Sequence, residues 1–206
     1  MSKLHAILLA LTFATSAHAQ QPALRTVNDT QDHLTFQIPA TWTLATHDRE
    51  LSTFHHEART APATGRLHYV AAISENPYPT SNFAGAHFYV SVTPAQTADQ
   101  CAAQATRPIQ EDPHHYTSTP IAPNTSIVTV GGHPISHGHD ESGRVCTEFR
   151  DEVYTLRQRN ACLRLDLAMN NFCGGDVSGV RDMTPAEIID IRTRLEAILQ
   201  SVRFDR

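Results

Sequence analysis

Apolar and polar positions alternate in several short stretches of this 206-residue chain and follow the longer helical period in the last. Leu34, Phe36 and Ile38 are separated by Thr35 and Gln37. That period of two predicts a half-buried strand, closed by Pro39. Arg66 to Ile73 predicts a second strand, and His87 to Thr93 a third, with Phe88, Val90 and Val92 on one face. Asn76-Pro77-Tyr78-Pro79 between them is turn chemistry, because each proline drives the preceding residue out of the helical region. Ile127 to Val130 and His133 to His139 predict a hairpin around Gly131-Gly132. A second hairpin runs in along Val145 to Gln158, turns at Arg159-Asn160 and returns along Ala161 to Met169. On the returning strand Leu163, Leu165, Leu167 and Met169 share one face, and Cys162, Arg164, Asp166 and Ala168 the other.

Two helices are predicted. Thr93-Pro94-Ala95-Gln96 opens the first, with Thr93 as the cap and Pro94 where a missing N–H costs nothing, and it runs to about Ala105 with Cys101 on it. Thr184-Pro185-Ala186-Glu187 opens the second. Ile188, Ile191, Leu195, Ile198, Leu199 and Val202 then follow the period of 3.6 that packs a helix on a sheet. Residues 107–125 hold Pro108, Pro113, Pro120 and Pro123 and read as a long irregular connection. Asn170 to Gly179 reads as a loop. The pattern is α+β: one domain over 31–206 with a mostly antiparallel sheet, after a flexible arm over 20–30.

The first nineteen residues stand apart. Lys3, the apolar run Ala6 to Ala14 and the small-x-small site Ala17-His18-Ala19 have the make-up of a secretory signal peptide. Cleavage near Ala19 delivers a periplasmic or secreted product. It also removes the only lysine and moves the formal charge from −5 to −6. Mild acidity without a basic run argues against nucleic acid and against an anionic membrane surface. Schiff-base chemistry and a P-loop need a lysine and are excluded from the mature chain. No cysteine stands at the cleavage site to carry a lipid anchor, and no second apolar span follows.

Cys101, Cys146, Cys162 and Cys173 make an even set, which in an exported chain predicts two disulfides. Three pairings are open; the one with the shortest loops joins Cys101 to Cys146 and Cys162 to Cys173. No C-x-x-C occurs, so the spacing gives a cysteine metal site little help.

The sharpest chemical motif is His133-Pro134-Ile135-Ser136-His137-Gly138-His139-Asp140. In an extended segment His133, His137 and His139 share a face, and with Asp140 they would suit zinc or copper. The competing expectation is a solvated strand end in a histidine-rich protein. His55-His56-Glu57 and His114-His115 can each give one ligand to a common site if extended, and read as exposed loops. Hydrolytic signatures are missing: there is no G-x-S-x-G, and Gly175-Asp176-Val177-Ser178-Gly179 has its serine one position out. The carboxylate pairs Asp140-Glu141 and Asp151-Glu152 read as solvated turns. Tyr69, Tyr78, Phe83, Phe88 and Tyr89 read as core, with a ligand groove as the alternative.

Three segments together resemble PsbP-like domains. Leu34-Thr35-Phe36-Gln37-Ile38-Pro39-Ala40-Thr41-Trp42 resembles their F-x-I-P-x-x-W opening, and Ile198-Leu199-Gln200-Ser201-Val202-Arg203-Phe204 their I-L-x-S-x-x-F close. Val130-Gly131-Gly132-His133-Pro134 is similar to their mid-sheet turn. The resemblance implies an α/β/α sandwich with no shared catalytic motif; the cysteines and histidines depart from it. The expectation is an exported, non-enzymatic domain that binds a protein or a small ligand, with a zinc or copper protein or metal-dependent enzyme built on His133, His137 and His139 as the alternative.

Overall fold

The computed structural model describes residues 23–49, 51, 66–105, 126–144, 147–174 and 179–205. Its strands are β1 (Leu24–Asp29), β2 (Leu34–Pro39), β3 (Thr43–Ala45), β4 (Arg66–Ala72), β5 (Phe83–Pro94), β6 (Ser126–Val130), β7 (His133–Arg144), β8 (Thr147–Gln158), β9 (Ala161–Phe172) and β10 (Arg203–Phe204). Helix α1 is Ala98–Gln104 and α2 is Pro185–Ser201. Seven strands form one sheet in the order β3-β4-β5-β9-β8-β7-β6, and β1, β2 and β10 form a small second sheet. Every ladder between these strands is antiparallel.

Strand β9 lies between β5 and β8 and is buried from Cys162 to Asn171. Leu163, Leu165, Leu167 and Met169 join the main core with Phe88, Val90 and Val92 of β5, as the alternation predicts. Helix α2 adds Ile191, Leu195, Ile198 and Leu199 to this core, and β2 adds Leu34, Phe36 and Ile38. The α2 start signal is real: Thr184 accepts from the Glu187 N–H and Glu187 reaches back to the Thr184 N–H. Phe83, Phe88 and Tyr89 are core residues, and Tyr69 and Tyr78 pack against the core.

The other side chains of β9 meet different partners. Ala168 joins a smaller cluster with Leu67, Val70, Tyr89 and Phe149. Arg164 is buried, with its Nε 2.7 Å from Asp166 Oδ1 and its Nη2 3.7 Å from Asp151 Oδ2. Its Nη1 donates to the Gln104 carbonyl at the end of α1. Cys162 is bonded to Cys101 of α1 across 61 residues. Gly138 is also required on this side, since a Cβ there would lie 1.7 Å from the Ala105 carbonyl oxygen.

Five expectations need correction, the first being that Asn170 to Phe172, read as loop, belong to β9, with Asn170 and Asn171 buried. The flexible arm over 20–30 is, from Leu24 to Asp29, strand β1 paired along β2; its polar composition hid it because only Val27 and Asp29 are buried. Helix α1 is capped by Thr97, whose box closes on Gln100, and not by Thr93. Thr93 and Pro94 remain in β5 opposite Cys162 and Ala161, and Ala95 turns left-handed at φ 57°. The shortest-loop pairing fails because Cys162 belongs to Cys101. Neither Asp140-Glu141 nor Asp151-Glu152 is a turn: they lie inside β7 and β8, and Asp151 is fully buried. Gly175 to Ser178, the His55-His56-Glu57 and His114-His115 groups, Cys146 and the leader lie outside the described residues.

Cys173 is also disulfide-bonded. Peptide mapping of unreduced protein should recover Cys101 linked to Cys162, with Cys173 in a separate disulfide. A Cys101→Ala, Cys162→Ala variant should lose up to about 4 kcal/mol of stability by loop-closure entropy. Chemical denaturation measures that loss.

Candidate functional site

Hairpin register decides which groups meet on the sheet beside α2. Strands β7 and β8 pair His137 with Tyr154, His139 with Glu152 and Glu141 with Arg150. Glu152 thereby receives both imidazoles: His137 Nε2 is 2.7 Å from Oε2 and His139 Nδ1 is 3.1 Å from Oε1. Arg192 of α2 adds its Nη2 at 3.4 Å from Oε1, while its Nε donates to Glu196 at 2.7 Å. A carboxylate only accepts, so each imidazole donates to it. In neutral His137 this leaves Nδ1 bare, and Ser126 Oγ, 3.1 Å away, donates to it. The His137 ring stacks on Tyr154 with centroids 4.6 Å apart.

Burial alone would raise the Glu152 carboxyl. The hydrogen bonds from His137 and His139, with the charges of His139 and Arg192, outweigh it and hold the group at about 2. The hydrogen bond to Glu152 raises His139 above its ordinary value. Burial, then the charges of Glu152 and Glu196, push the Tyr154 hydroxyl up to about 12. A carboxyl this acidic is a weak base, so Glu152 serves to orient and charge its neighbours rather than to take protons from a substrate. The sequence of contacts Ser126–His137–Glu152 resembles a hydrolytic relay in order. Ser126, however, opens a sheet-edge strand instead of sitting on a strained strand-to-helix turn.

Of the histidines singled out in the sequence, the structure brings His137 and His139 together and leaves His133 apart. His133 begins β7 and packs edge-on against Phe204, centroids 5.2 Å apart. Four residue steps of extended chain separate it from His137, about 13 Å along the strand. Asp140 is a backbone position of β7 paired with Asp151. Among the described residues, the set with three potential ligand atoms within 4.8 Å of one another is Asp29, Asp32 and His68. That set and Arg192 are not singled out from sequence, and Glu152 reads there as half of a solvated carboxylate pair. Glu152 comes opposite His139 only through the β7–β8 register, and nothing local joins Asp29 to His68, which are 39 positions apart.

Beside the cluster, between the β6–β7 hairpin and α2, lies a groove of about 330 Å³. Val128, Val130 and Leu199 form its apolar walls, His137 and Tyr154 its stacked floor, and Glu196 and Gln200 part of its rim. Gly131 sits at one end with φ 56°, where a Cβ would meet the Val202 carbonyl at 2.8 Å and the Phe204 ring at 3.1 Å.

No protein-family profile matches the sequence, and no curated protein sequence does. Among solved structures the chain is similar to the cyanobacterial PsbP of Synechocystis sp. PCC 6803, with a TM-score of 0.49 and 11% identity over 93% of this chain and 98% of that one. It is also similar to LpqN, involved in cell envelope biogenesis of Mycobacterium tuberculosis, with a TM-score of 0.45 and 10% identity over 89% of this chain and 91% of that one. A Bacteroides thetaiotaomicron protein gives a TM-score of 0.42 and 7% identity over 84% of this chain and 46% of that one. Identities this low speak to the fold alone.

The Glu152 network should shape stability against pH. Unfolded, the carboxyl titrates near its ordinary 4.5; folded, at about 2. The unfolded chain therefore binds more protons between these values, and the contribution present above about 4.5 is lost as pH falls toward 2. His139 acts in the opposite sense: its contribution is complete below 6.5 and is lost as pH rises through its raised folded value. Glu152→Gln should cost about 1–3 kcal/mol near pH 6 and flatten both limbs. Thermal melts across pH measure this; an unchanged acid limb would contradict the network.

Proposed function

We propose that the protein is an extracytoplasmic, non-enzymatic binding domain that holds a small amphipathic ligand in the groove between the β6–β7 hairpin and α2. The leader-like first nineteen residues and the Cys101–Cys162 disulfide support export. The two helices flank the sheet as layers of an α/β/α sandwich: α1 is tethered to Cys162, and α2 packs with Leu163, which points the other way along β9. Among the described residues no helix is long and apolar enough to cross a membrane.

The observation that carries the reading is the make-up of the groove. Apolar walls over a stacked His137–Tyr154 floor suit the body of a ligand, and Glu196 and Gln200 offer acceptors and donors for a polar end. The Glu152 network keeps the floor rigid by fixing the His137 ring from one edge while Tyr154 holds its face. Such a site is organised for contact. Its ionised carboxylate is already engaged by two imidazoles.

Native mass spectrometry of protein recovered from the periplasm of an expressing host tests this. The expected result is a small molecule retained by the wild type and lost from Val128→Trp, which fills the groove from one wall. A wild type that retains nothing and shows no thermal shift with a library of amphipathic small molecules would overturn the reading. A zinc or copper centre on His133, His137 and His139 would require His133, about 13 Å along the strand from His137, to leave Phe204 and close that gap. Untagged protein is accordingly expected to carry no stoichiometric zinc or copper, and a His137→Ala, His139→Ala variant no altered affinity for either ion; elemental analysis and titration check both.

A further inference from the structure

At another end of the sheets, the β1–β2 turn meets the β8–β9 turn around a pocket of about 320 Å³. Its floor is apolar, from Val92, Ala161 and the buried Leu163, and its rim carries two opposite charges, Asp32 and Arg159. All the non-glycine residues with left-handed backbone among those described gather here: His33 at φ 53°, Arg159 at φ 53° and Ala95 at φ 57°. Each conformation is disfavoured for an L-residue by about 1–2 kcal/mol, so surrounding contacts must hold it. They do: the Asp205 N–H donates to the His33 carbonyl at 2.9 Å, and the Ala95 N–H to the Asn160 carbonyl at 2.7 Å. Arg159 Nη1 donates to His33 Nε2. That uses one of the five N–H groups of the guanidinium.

Asp32 is fixed from behind by side chains that are more than nine-tenths buried. Asp29 Oδ1 accepts the backbone N–H of Gln31 at 2.9 Å and of Asp32 at 3.1 Å. His68 Nδ1 contacts Asp32 Oδ2 and lies 3.4 Å from Asp29 Oδ2. Arg66 approaches the other ring nitrogen, with Nη2 at 2.9 Å and Nε at 3.1 Å from His68 Nε2. A guanidinium only donates, so Nε2 is bare, Nδ1 bears the hydrogen, and His68 is neutral. Two carboxylates against one guanidinium leave one negative charge at the Asp32 side of the pocket. Burial raises the Asp32 carboxyl, Asp29 beside it does so too, and the opposing pull of His68 and Arg66 does not offset them. A cation arriving at Asp32 relieves that. A metal ion is poorly suited, because it would have to displace the Nδ1 hydrogen while Arg66 occupies the opposite nitrogen. An ammonium group only needs an acceptor.

We propose that this pocket binds a small aliphatic zwitterion, an amino acid whose ammonium group is met by Asp32, whose carboxylate is met by Arg159, and whose hydrocarbon part lies over Val92 and Leu163. The site is separate from the groove beside α2, and either can fail without the other. Opposite charges across an apolar floor select against ligands carrying one charge alone, since each leaves a rim group without its partner.

Calorimetric titration of the full chain with leucine and 6-aminohexanoate, which differ in charge separation, tests the proposal against 3-methylbutylamine and 4-methylpentanoate, which lack one charge each. At least one zwitterion should bind about tenfold more tightly than both single-charge compounds. Asp32→Asn should remove the advantage over 4-methylpentanoate. Arg159→Asn should remove the advantage over 3-methylbutylamine, and asparagine tolerates the left-handed backbone. Melting curves of both variants establish that they fold. Equal binding of single-charge compounds, no binding of either zwitterion, or zinc or calcium binding that is lost in Asp32→Asn would each overturn it.

Discussion

Strand β9 is buried on both faces, and the rest of the molecule is arranged to satisfy that constraint. Its leucines demand an apolar cover, which α2 and the β2 sheet supply. The opposite face carries Arg164 and Asp166, charges that cannot be left without partners in the interior. Asp166 sits on the same strand two residues from Arg164, Asp151 comes across from β8, and the last carbonyl of α1 closes the arrangement. The Cys101–Cys162 bond then fixes α1 over this face. A seven-residue helix has little capacity to hold its own place, so covalent attachment and the close approach at Gly138 stand in for a large apolar stripe.

The two chain regions most distant in sequence are joined just as firmly. Ser201 accepts the Gln37 N–H at 2.8 Å, Arg203 and Phe204 pair with Thr35 and Leu34, and the Phe204 ring meets Gly131 and His133. The three segments that resemble PsbP-like domains therefore contact one another in space. Pro39 ends β2 and Trp42 enters the main core, so the opening motif frames the place where the closing motif docks. A bulky residue at Gly131 would push Val202 and Phe204 away and loosen this closure along with one end of the groove.

Features governed by neighbours along the chain were legible in the sequence. The Thr184 cap, the stripe on α2, the Gly131-Gly132 turn and the two faces of β9 all follow from local period and capping chemistry. Features governed by partners far along the chain were not. Strand β1 has no apolar alternation strong enough to announce it and exists through β2. Thr93 and Thr97 offer similar start signals, and β9 decides between them by keeping Thr93 and Pro94 in the sheet. Disulfide pairing depends on which strand α1 lies against, which loop length does not encode. His137 and His139 were visible as a pair on one face, but their common partner became visible only once the register of β8 was set.

That partner changes what the histidines are for. Three imidazoles on a strand face have the donor chemistry of a metal site only while their nitrogens are free to converge. Here a carboxylate with a strongly lowered pKa takes one nitrogen from each of two rings, and Arg192 from α2 anchors the same carboxylate. The network fixes the orientation of both rings through one nitrogen each and ties β7 and β8 to α2 beside the groove. Tyr154 completes the logic: its ring supports His137, and its hydroxyl stays protonated far beyond neutrality because burial and two carboxylates oppose its ionisation. A floor built from a neutral phenol and a ring pinned by an ionised carboxylate keeps its shape through the mildly acidic to neutral range, where Glu152 and His139 are most favourably charged.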